Sequence, residues 1–331
     1  MILMPLNLDD LKLYCPENAD FEAIKAAAPL IPFDNTVCAF LNDFSKALIG
    51  DKDSRAYPDV ITFAYFCRKA NVQNLKEKYG DRLKDRLGRG VSFHVAPSNV
   101  PINFAYTLVA GLLAGNACMV RASSKDFKQT AIICNHFSKL LNTDAYKKLK
   151  DYVTVLSYPH DDDKNAYFSS FADIRVIWGG DNTIRELKRS ALPPRGIDVA
   201  FADRYSIAVF DAKSIIAEAN QKLFQDFYND TFLYDQNACS APRLIYWLGH
   251  REDVVKAKNL FWDGFYNYSK AKYEIKTVVS VDKKVVGYKM AMCRDGVKLF
   301  QRGNLIDIID LEILTKDIVD FKCAGGSFVE Y

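Results

Sequence analysis

Two loops carry the residues whose types and spacing could support nucleophilic chemistry. Cys239 lies in a small-residue loop at 235–242, after a helical run and before the apolar segment 244–247. Asn99 lies about 140 residues upstream at 96–101, where an apolar strand ends and a helix begins. A thiol that attacks a carbonyl needs a donor for the oxyanion it creates, and a side-chain amide is one such donor. The two loops therefore contain residue types that could supply both groups, a thiol at Cys239 and an amide at Asn99.

Each of these residues also has a purely structural interpretation. Cys239 stands between Ala238 and Ser240 and could serve only as a small residue packed tightly under a loop. An asparagine ahead of a helix commonly caps that helix, and Asn99 could do only this. Both interpretations stay open on these residues alone.

The composition is that of a globular protein. The chain has 331 residues, more than a single core usually holds, so two domains are expected. Hydrophobic residues make up 49% and charged residues 26%, and the net charge is only +3 with both signs interspersed. This argues against a nucleic-acid partner, and no apolar run approaches the roughly 18 residues that cross a bilayer. Residues 1–6 lack the features of a secretory signal, so the cytoplasm is the expected location.

The placement of cysteine and histidine argues against a metal centre. The eight cysteines form no Cys-x-x-Cys pair and stand at positions 15, 38, 67, 118, 134, 239, 293 and 323. Most are expected to be buried small hydrophobes, and a disulfide framework is not expected in a chain of this length. His160 precedes three acids at 161–163, but acids at a helix start are explained by the helix dipole. No metal ligand is therefore predicted.

The elements that position the first loop follow an alternating pattern. Residues 1–50 predict extended pieces and a short helix, for example at 20–28. Residues 58–86 are predicted to be helical, first an apolar stretch and then a charged amphipathic one. Further on, the predicted strands are 91–96, 118–122, 152–157 and 173–178, and the predicted helices are 103–114, 127–141, 164–171 and 183–190. This alternation predicts a parallel sheet with crossover helices, so residues 1–205 are expected to form N-terminal helices and a Rossmann-type dinucleotide-binding lobe.

A second alternating run follows a Gly/Pro break at 192–196. It predicts strands at 199–202, 206–210 and 244–248, and helices at 213–228 and 253–271. This run predicts a separate α/β lobe, and residues 206–331 are assigned to it as the catalytic lobe that carries Cys239. The predicted fold class is therefore α/β with two lobes.

Five motifs within residues 88–247 make the chain resemble a known family. They are Pro97-Ser98-Asn99-Val100-Pro101, Val120-Arg121-Ala122-Ser123-Ser124-Lys125, Trp178-Gly179-Gly180-Asp181, Asp203-Arg204-Tyr205-Ser206 and Asp235-Gln236-Asn237-Ala238-Cys239. On these motifs the chain resembles the bioluminescence-type long-chain fatty acyl-CoA reductases of the aldehyde dehydrogenase superfamily. The resemblance implies an aldehyde-dehydrogenase-like fold.

The resemblance also implies a reductase that works through an acyl-enzyme. Cys239 would attack a fatty acyl thioester, either acyl-CoA or an acyl-protein, while the Asn99 amide and the Cys239 backbone N–H polarise the carbonyl. Reduction with NADPH would then release a fatty aldehyde. An acyl-protein synthetase or transferase is an implied partner, and association into a homo-oligomer is left open.

Three strand-end segments are expected to bind the cofactor. The predicted residues are Pro97, Ser98, Arg121, Ser123, Ser124, Lys125, Gly179, Gly180 and Thr183. Residues 121–125 follow the second strand of the sheet, where a dinucleotide's adenosine ribose is expected, although a solvated strand end is the alternative. The resemblance implies that NAD-specific relatives carry an acidic residue at the position of Ser124, where it would repel a 2′-phosphate. Here the position holds a serine with Arg121 and Lys125 nearby, which would favour binding of a 2′-phosphate. NADPH is therefore predicted as the cofactor. The glycine pair before a helix would let the backbone and the helix N-terminus approach a pyrophosphate.

Two departures from the superfamily bear on activity. Hydrolytic aldehyde dehydrogenases carry a water-activating Glu in a Glu-Leu-Gly-Gly segment, where this chain has Phe201-Ala202-Asp203-Arg204-Tyr205, which favours thioester reduction. Family chains also continue well past residue 331, so a shortened or fragmentary catalytic lobe is expected. Three alternatives stay open: an acyl-phosphate reductase of the same superfamily, a hydrolytic aldehyde dehydrogenase, and an inactive binding or scaffold protein.

Overall fold

The computed structural model describes residues 10–321 and 325–331, which form two compact units. The first unit ends at Asp203 and the second begins at Arg204. Each unit has its own sheet and its own hydrophobic core. Two sequence expectations lie outside the described residues, namely the character of residues 1–6 and the buried state of Cys323.

The N-terminal part of the first unit is mostly helical. Its elements are β1 Lys12–Cys15, α1 Phe21–Ala26, α2 Asn35–Gly50, α3 Lys52–Arg55, α4 Pro58–Phe66 and α5 Lys69–Leu83. The expectation of extended pieces and a short helix over 1–50 was wrong at α2. Asp34 caps this helix by accepting from the backbone N–H groups of Thr36 at 2.8 Å and Val37 at 3.2 Å. An aspartate at the N-cap is a signal for the start of a helix, and the prediction missed it here.

The segment expected to be helical over 58–86 consists of two helices, α4 and α5, with a break between them. The chain leaves the helical conformation at Arg68, which has extended dihedral angles (φ −62°, ψ 145°). The backbone N–H of Lys69 then donates to Asn42 Oδ1 at 3.3 Å. Because Asn42 lies on α2, a distant part of the chain accepts a hydrogen bond from a free backbone N–H at the start of α5. The local sequence pattern therefore does not reveal the break.

A six-stranded sheet organises the first unit. Its further strands are β2 Val91–Val95, β3 Ala117–Arg121, β4 Val153–Ser157, β5 Ile174–Gly179 and β6 Ile197–Ala202, in the spatial order β1–β4–β3–β2–β5–β6. Strands β2 to β6 are parallel, and β1 pairs antiparallel with β4 at one edge. The crossover helices are α6 Asn103–Leu113, α7 Lys128–Leu141, α8 Asp162–Ser170 and α9 Asp181–Leu187. The predicted α/β class is confirmed.

Strand β6 belongs to this first sheet, within the bounds 1–205 given to the first lobe, although the sequence pattern grouped it with the second alternating run. It pairs in parallel with β5, from Ile174 opposite Ile197 to Gly179 opposite Ala202. The Gly/Pro segment that suggested a lobe boundary is a tight turn, in which Gly196 N–H donates to Pro193 O at 2.7 Å. The turn returns the chain to the same sheet, so a local breaker signal was mistaken for a boundary between lobes.

The strand order reverses between β2 and β5. From β2 the chain adds β3 and β4 on one side, and it then returns to add β5 and β6 on the other. The connections that leave β2 and β5 therefore diverge at the carboxyl end of the sheet. In open parallel α/β sheets, ligands bind in the crevice that such a reversal leaves. The loop 96–101 and the pair Gly179-Gly180 flank this position.

A buried polar network ties α6 to the two strands that flank the reversal. His94 on β2 is almost fully buried, with one ring nitrogen 2.7 Å from Thr107 Oγ1 and the other 2.5 Å from Ser92 Oγ. Trp178 Nε1 on β5 donates to the same Thr107 hydroxyl at 3.3 Å. Burial lowers the pKa of His94 to about 3, so the imidazole is neutral at neutral pH. This network fixes the first turns of α6 beneath the loop that precedes them.

The second unit contains a five-stranded sheet. Its strands are β7 Ser206–Asp211, β8 Pro242–Leu248, β9 Val297–Arg302, β10 Ile306–Leu311 and β11 Ser327–Glu330, in the order β7–β8–β11–β10–β9. Strands β7, β8, β11 and β10 are parallel, and β9 pairs antiparallel with β10. The helices are α10 Ala212–Glu218, α11 Gln221–Thr231, α12 Arg251–Ser269 and α13 Thr277–Cys293. An aromatic core that includes Phe227, Phe261 and Phe265 packs the helices onto the sheet.

The long helix expected over 213–228 is two helices. The chain extends at Ala219 and Asn220, and the Asn220 side chain accepts from the backbone N–H groups of Lys222 at 3.0 Å and Leu223 at 3.1 Å. This N-cap restarts the helix, so an asparagine interpreted as mid-helical is a boundary.

Neither a membrane span nor a metal cluster is found in the described part of the chain. None of the helices within 10–321 combines the length and the apolarity that crossing a bilayer requires. Across the described ranges, no three His, Cys, Asp or Glu side chains group in a way that could hold a metal ion. The acids at 161–163 instead surround the start of α8, which Asp161 caps through Lys164 N–H at 2.9 Å.

Candidate active site

Cys239 lies at an exposed turn just before β8. The turn is closed by a hydrogen bond from Ala241 N–H to Ala238 O at 3.0 Å, and the Cys239 side chain is exposed. Ser206 Oγ donates to Cys239 O at 2.8 Å, which links the turn to the first residue of β7. The interpretation of Cys239 as a residue packed under a loop therefore does not fit the structure.

Exposure separates Cys239 from most of the other thiols. All seven described cysteines are free, and the other exposed one is Cys293. Burial raises the pKa of the Cys15 thiol to about 11 and raises that of Cys118 further. A buried thiol with a raised pKa makes little of the thiolate that attacks a carbonyl. Cys239 is thus one of two described cysteines whose exposure suits a nucleophile.

A buried glutamine holds the cysteine turn in place. Gln236 is fully buried, and its amide nitrogen donates to Pro242 O at 3.0 Å and to Ser327 O at 2.9 Å. Its amide oxygen accepts from the backbone N–H groups of Gly326 at 3.1 Å and Ser327 at 3.2 Å. One side chain thereby joins the segment around Cys239 to the start of β11, some ninety residues later.

The backbone on the N-terminal side of the turn is strained. Asp235 and Gln236 both have positive φ angles, 52° and 59°, in a region that non-glycine residues rarely adopt. Two contacts hold Asp235: Tyr273 Oη donates to its carboxylate at 2.6 Å, and Gly325 N–H donates to its carbonyl at 3.1 Å. Burial and the neighbouring carboxylate raise the pKa of Tyr273, so its hydroxyl keeps the proton it donates. The sequence motifs named Asp235, Gln236 and Ser206 but not these contacts, and they missed Tyr273.

Asn99 lies in the loop between β2 and α6. The side chains of Ser98 and Asn99 are exposed and Pro97 is half-buried. Helix α6 begins at Asn103 with Ile102 as its N-cap residue, so Asn99 stands three positions before the cap. The interpretation of Asn99 as the helix cap is therefore wrong. Pro97 and Pro101 disfavour helical conformation at the residues before them, which delays the helix and leaves an open loop.

The end of β3 carries the second group of predicted cofactor residues. Arg121 Nη2 donates to the carbonyls of Tyr158 at 3.2 Å and Pro159 at 3.5 Å, and the guanidinium stacks on the Tyr158 ring at 4.5 Å. Ser123 Oγ accepts from Lys125 N–H at 3.1 Å. Ser124 and Lys125 are both exposed. The guanidinium of Arg121 is thus engaged with the end of β4, and sequence reasoning missed its partner Tyr158.

The end of β5 carries the third group. Gly180 is the residue before α9, and a side chain there would meet nothing within 4 Å, so the backbone is open to an approaching ligand. Gly179 is tighter, because an added Cβ would lie 3.1 Å from the Thr183 Cβ. Beside them, Trp178 stacks on Phe201 with ring centroids 4.0 Å apart. This aromatic pair joins the ends of β5 and β6, and sequence reasoning assigned it no role.

The sheet brings the predicted cofactor residues of the first unit to one edge. Strands β2, β3 and β5 are parallel neighbours, so their carboxyl ends and the loops that follow lie on the same side. Pro97 and Ser98, the segment 121–125, and Gly179, Gly180 and Thr183 therefore share this edge with Asn99. Cys239 lies in the second unit, at the amino end of β8.

Comparison with known proteins identifies the family. A sequence profile of the family described as acyl-CoA reductase (LuxC) matches residues 70–260, more than half of the chain. The chain belongs to the LuxC acyl-CoA reductase family. The recognition made from the five motifs is thereby confirmed.

Named relatives of this LuxC-family protein are bacterial reductases. The long-chain acyl-protein thioester reductase of Aliivibrio fischeri is 27% identical over 173 residues, which cover 51% of this chain and 34% of that protein. The long-chain acyl-protein thioester reductase 2 of Photobacterium leiognathi is 28% identical over 171 residues, again 51% of this chain and 34% of the relative. The matched part of the chain thus spans about a third of the length of these relatives.

Solved structures confirm the aldehyde-dehydrogenase-like fold of this LuxC-family protein. The NAD-dependent benzaldehyde dehydrogenase from Corynebacterium glutamicum is 13% identical with a TM-score of 0.59, over 94% of this chain and 73% of that one. A lactaldehyde dehydrogenase is 11% identical with a TM-score of 0.60, over 93% of this chain and 72% of its own. At these identities the likeness concerns the fold.

The buried amide of Gln236 gives a prediction for the stability of the second unit. Gln236→Leu would leave two backbone N–H groups and two carbonyls unpaired, and each such buried group costs about 1–3 kcal/mol. We expect a loss of at least about 3 kcal/mol in the free energy of unfolding, measured by urea denaturation with tryptophan fluorescence. Gln225→Leu, on the exposed side of α11, is the matched control and should change stability little. Equal stability of the two variants would contradict the role given to Gln236.

Proposed function

We propose that this protein reduces a long-chain fatty acyl thioester to a fatty aldehyde through an acyl-enzyme on Cys239, with NADPH as the reductant. The observation that carries the proposal is the exposed thiol of Cys239, placed on a turn by the buried Gln236, in a member of the acyl-CoA reductase family. The relatives named as long-chain acyl-protein thioester reductases support a long acyl chain and a thioester as the substrate class. The donor is either acyl-CoA or an acyl-protein.

The first step is transfer of the acyl group to the protein. The Cys239 thiolate attacks the thioester carbonyl carbon and forms a tetrahedral oxyanion. As the intermediate collapses, the bond to the original sulfur breaks and the donor leaves as a thiolate that takes up a proton. A new thioester remains on Cys239. Because one thioester replaces another of similar energy, acylation needs stabilisation of the oxyanion more than it needs a driving force.

Two groups are proposed to donate to the oxyanion. One is the side-chain amide of Asn99, which stands three residues before Ile102, the N-cap position of α6. The other is the backbone N–H of Cys239, which is carried by the attacking residue itself. Removing one such donor typically slows acyl transfer 10²–10³-fold.

The edge of the first sheet suits a dinucleotide. The strand order reverses beside it, the backbone at Gly180 is open, and Ser124 and Lys125 are exposed at the end of the neighbouring strand. We assign Gly179, Gly180 and Thr183 to the pyrophosphate, and Ser123, Ser124 and Lys125 to the adenosine ribose. Pro97 and Ser98 line the same edge after β2. A bound reduced nicotinamide would supply the hydride, and solvent a proton, that turn the acyl group on Cys239 into a hemithioacetal. Cleavage of its C–S bond would then release the aldehyde and regenerate the Cys239 thiol.

Ser124 and Lys125 support NADPH over NADH. A serine at this position can donate to a 2′-phosphate, whereas a carboxylate would repel it. Arg121 and Lys125 were both expected to favour a 2′-phosphate. The guanidinium of Arg121, however, already donates to Tyr158 O and Pro159 O. We therefore assign the contact with the 2′-phosphate to Lys125 and give Arg121 the role of positioning the strand end.

The absence of a glutamate from the segment 201–205 favours reduction over hydrolysis. In this segment the acidic residue is Asp203, whose side chain is one methylene shorter than a glutamate. Hydrolysis of the acyl-enzyme needs a group that removes a proton from water as it attacks. We assign no water-activating role to Asp203, so we expect the acyl group on Cys239 to persist long enough to be reduced and to leave as an aldehyde rather than as an acid.

The nucleophile can be identified by trapping. Incubation with a long-chain acyl-CoA, without a reductant, should leave a hydroxylamine-sensitive acyl group on the peptide that contains Cys239. Cys239→Ser should abolish this thioester, whereas Cys293→Ser, at the other exposed thiol, should retain it. Intact-protein and peptide mass spectrometry give the site. Labelling that survives Cys239→Ser would assign the chemistry to another cysteine.

The oxyanion role of Asn99 predicts a defect in the acylation rate. Asn99→Ala should slow single-turnover acylation about 10²–10³-fold and leave NADPH affinity unchanged, because the lost amide stabilises a transition state. The urea midpoint of the same preparation separates a loss of acylation rate from a loss of stability. Asn267→Ala, at an exposed asparagine on α12, should acylate at the rate of the unmodified protein. An acylation rate within about twofold for Asn99→Ala would remove Asn99 from the mechanism.

Cofactor preference tests Ser124. Ser124→Glu should weaken NADPH binding at least about tenfold through repulsion of the 2′-phosphate, and NADH binding should hold or improve. Fluorescence titration of both cofactors measures the ratio. Gln225→Glu adds the same charge on an exposed helix and serves as the control. A protein that binds both cofactors equally, before and after Ser124→Glu, would contradict the assignment.

A further inference from the structure

Asp235 has a backbone conformation that glycine would adopt more easily. Its φ and ψ angles are 52° and 31°, in the left-handed region, and it ends the short 3-10 helix Phe232–Tyr234. Glycine enters this region without steric cost, whereas other residues are strained there, aspartate and asparagine less than most. An aspartate at this position therefore directs attention to what its side chain binds.

The Asp235 carboxylate accepts a hydrogen bond from Tyr273 Oη at 2.6 Å. This length is typical of a bond between a hydroxyl and a charged oxygen, which is about twice as strong as a bond between neutral groups. The backbone of Asp235 is bonded as well, since its N–H donates to Phe232 O at 3.1 Å and its carbonyl accepts from Gly325 N–H at 3.1 Å. The side-chain bond thus completes the attachment of a strained residue.

Packing fixes the position of the Tyr273 hydroxyl. Tyr273 lies in the connection between α12 and α13, and its N–H donates to Ser269 O at 2.9 Å, at the end of α12. Its ring packs against the ring of Phe232, with centroids 4.4 Å apart, and Phe232 stacks on Phe265 in the aromatic core. The hydroxyl is therefore held at a defined point, from which it can orient the carboxylate that it binds.

We propose that Tyr273 and Asp235 are positioning residues for Cys239, and that their hydrogen bond sets the direction in which the chain enters the cysteine turn. The proposal rests on the acyl transfer to Cys239 proposed above. Gln236, the next residue, is also left-handed, with a φ of 59°. If Asp235 relaxed to an ordinary conformation, the chain would leave in another direction and displace the thiol. A displacement of about 1 Å from the aligned geometry can slow such an attack about 100-fold.

The contact of Tyr273 differs from the other contacts that hold the turn. Gln236 bonds the segment to β11, and Ser206 Oγ donates to Cys239 O at 2.8 Å. Both act on the side of the turn that leads into β8. Tyr273 acts on the opposite side, where the chain arrives from α11. Loss of its hydrogen bond should therefore shift the thiol while the contacts with β7 and β11 keep the turn folded.

Three variants separate the side chain at position 235 from its backbone. Asp235→Gly suits the left-handed backbone but loses the acceptor, and it should slow the acylation of Cys239 at least about tenfold. Asp235→Asn tolerates the same backbone and keeps an oxygen that can accept from Tyr273, so it should retain most of the acylation rate. Tyr273→Phe removes only the donor and should match Asp235→Gly. The combination of Asp235→Gly with Tyr273→Phe should be no slower than either alone, because both remove the same bond.

Two measurements on each variant distinguish positioning from general loss of structure. Single-turnover acylation by a saturating long-chain acyl-CoA, followed by peptide mass spectrometry, gives the rate of the aligned attack. Alkylation of Cys239 by iodoacetamide needs only an exposed thiol and should stay within about twofold in every variant. Tyr79→Phe, at an exposed tyrosine on α5, is the matched control and should acylate at the rate of the unmodified protein.

Several results would overturn the positioning role. They are acylation within about twofold for Asp235→Gly or Tyr273→Phe, alkylation that falls together with acylation, and Asp235→Asn as slow as Asp235→Gly. An unmodified protein that is alkylated but never acylated at Cys239 would instead contradict the proposed function. Crystal structures of the unmodified protein and Tyr273→Phe then decide the positioning role, since residues 235–239 should move by about 1 Å, and an unchanged turn would overturn it.

Discussion

The buried amide of Gln236 is the interaction on which the placement of the cysteine depends. It pairs with four backbone groups and joins the turn around Cys239 to the start of β11, close to the far end of the chain. Left-handed conformation at Asp235 and Gln236 costs on the order of 1 kcal/mol for each residue, and these bonds offset it. The hydrogen bonds of Gln236 therefore fix the turn on its buried side, while the Cys239 side chain stays exposed. Strand β11 lies between β8 and β10 in the sheet. The exposed loop around Cys239 is therefore bonded to a central strand, which restricts its motion.

In the first unit, the loop 96–101 between β2 and α6 is kept out of the helix that follows it. Prolines 97 and 101 delay the start of α6, and the network of His94, Thr107 and Trp178 fixes the helix beneath the loop. Burial keeps the imidazole neutral, so the network carries no charge that would need a counter-ion. The loop that carries Asn99 therefore lies on a helix whose position is fixed by this network. The same strand edge carries the open glycine and the exposed serine to which we assign the cofactor.

The sequence predicted the first sheet well because its signals are local. Between residues 91 and 190 each apolar run is short and each helix has its own periodicity, so strands β2 to β5 could be placed within one or two residues. The errors arose where a distant partner decides the structure. β6 follows a Gly/Pro turn that resembles a lobe boundary, and only its pairing with β5 assigns it to the first sheet. The break before α5 depends in the same way on Asn42 of α2.

The candidate site shows the same division. Parallel strands bring their carboxyl ends together, so residues quoted only as motifs could be expected to share one edge. The Gln-x-x-Cys pattern pointed to Cys239, but the reason for its glutamine lies some ninety residues away in β11. Arg121 was expected beside the adenosine ribose, and the sequence did not reveal that its guanidinium stacks on Tyr158. Spacing along the chain does not reveal such contacts, because the partner is chosen by the fold.

The products of a single reaction test the central claim most directly. The protein would be incubated with a long-chain acyl-CoA and NADPH, and aldehyde, free acid, CoA and oxidised cofactor would be quantified together by mass spectrometry. We expect aldehyde, CoA and oxidised cofactor in equal amounts, little free acid, and none of these products from Cys239→Ser. Free fatty acid formed without consumption of NADPH would show a hydrolase and would contradict the assignment of this protein as a thioester reductase.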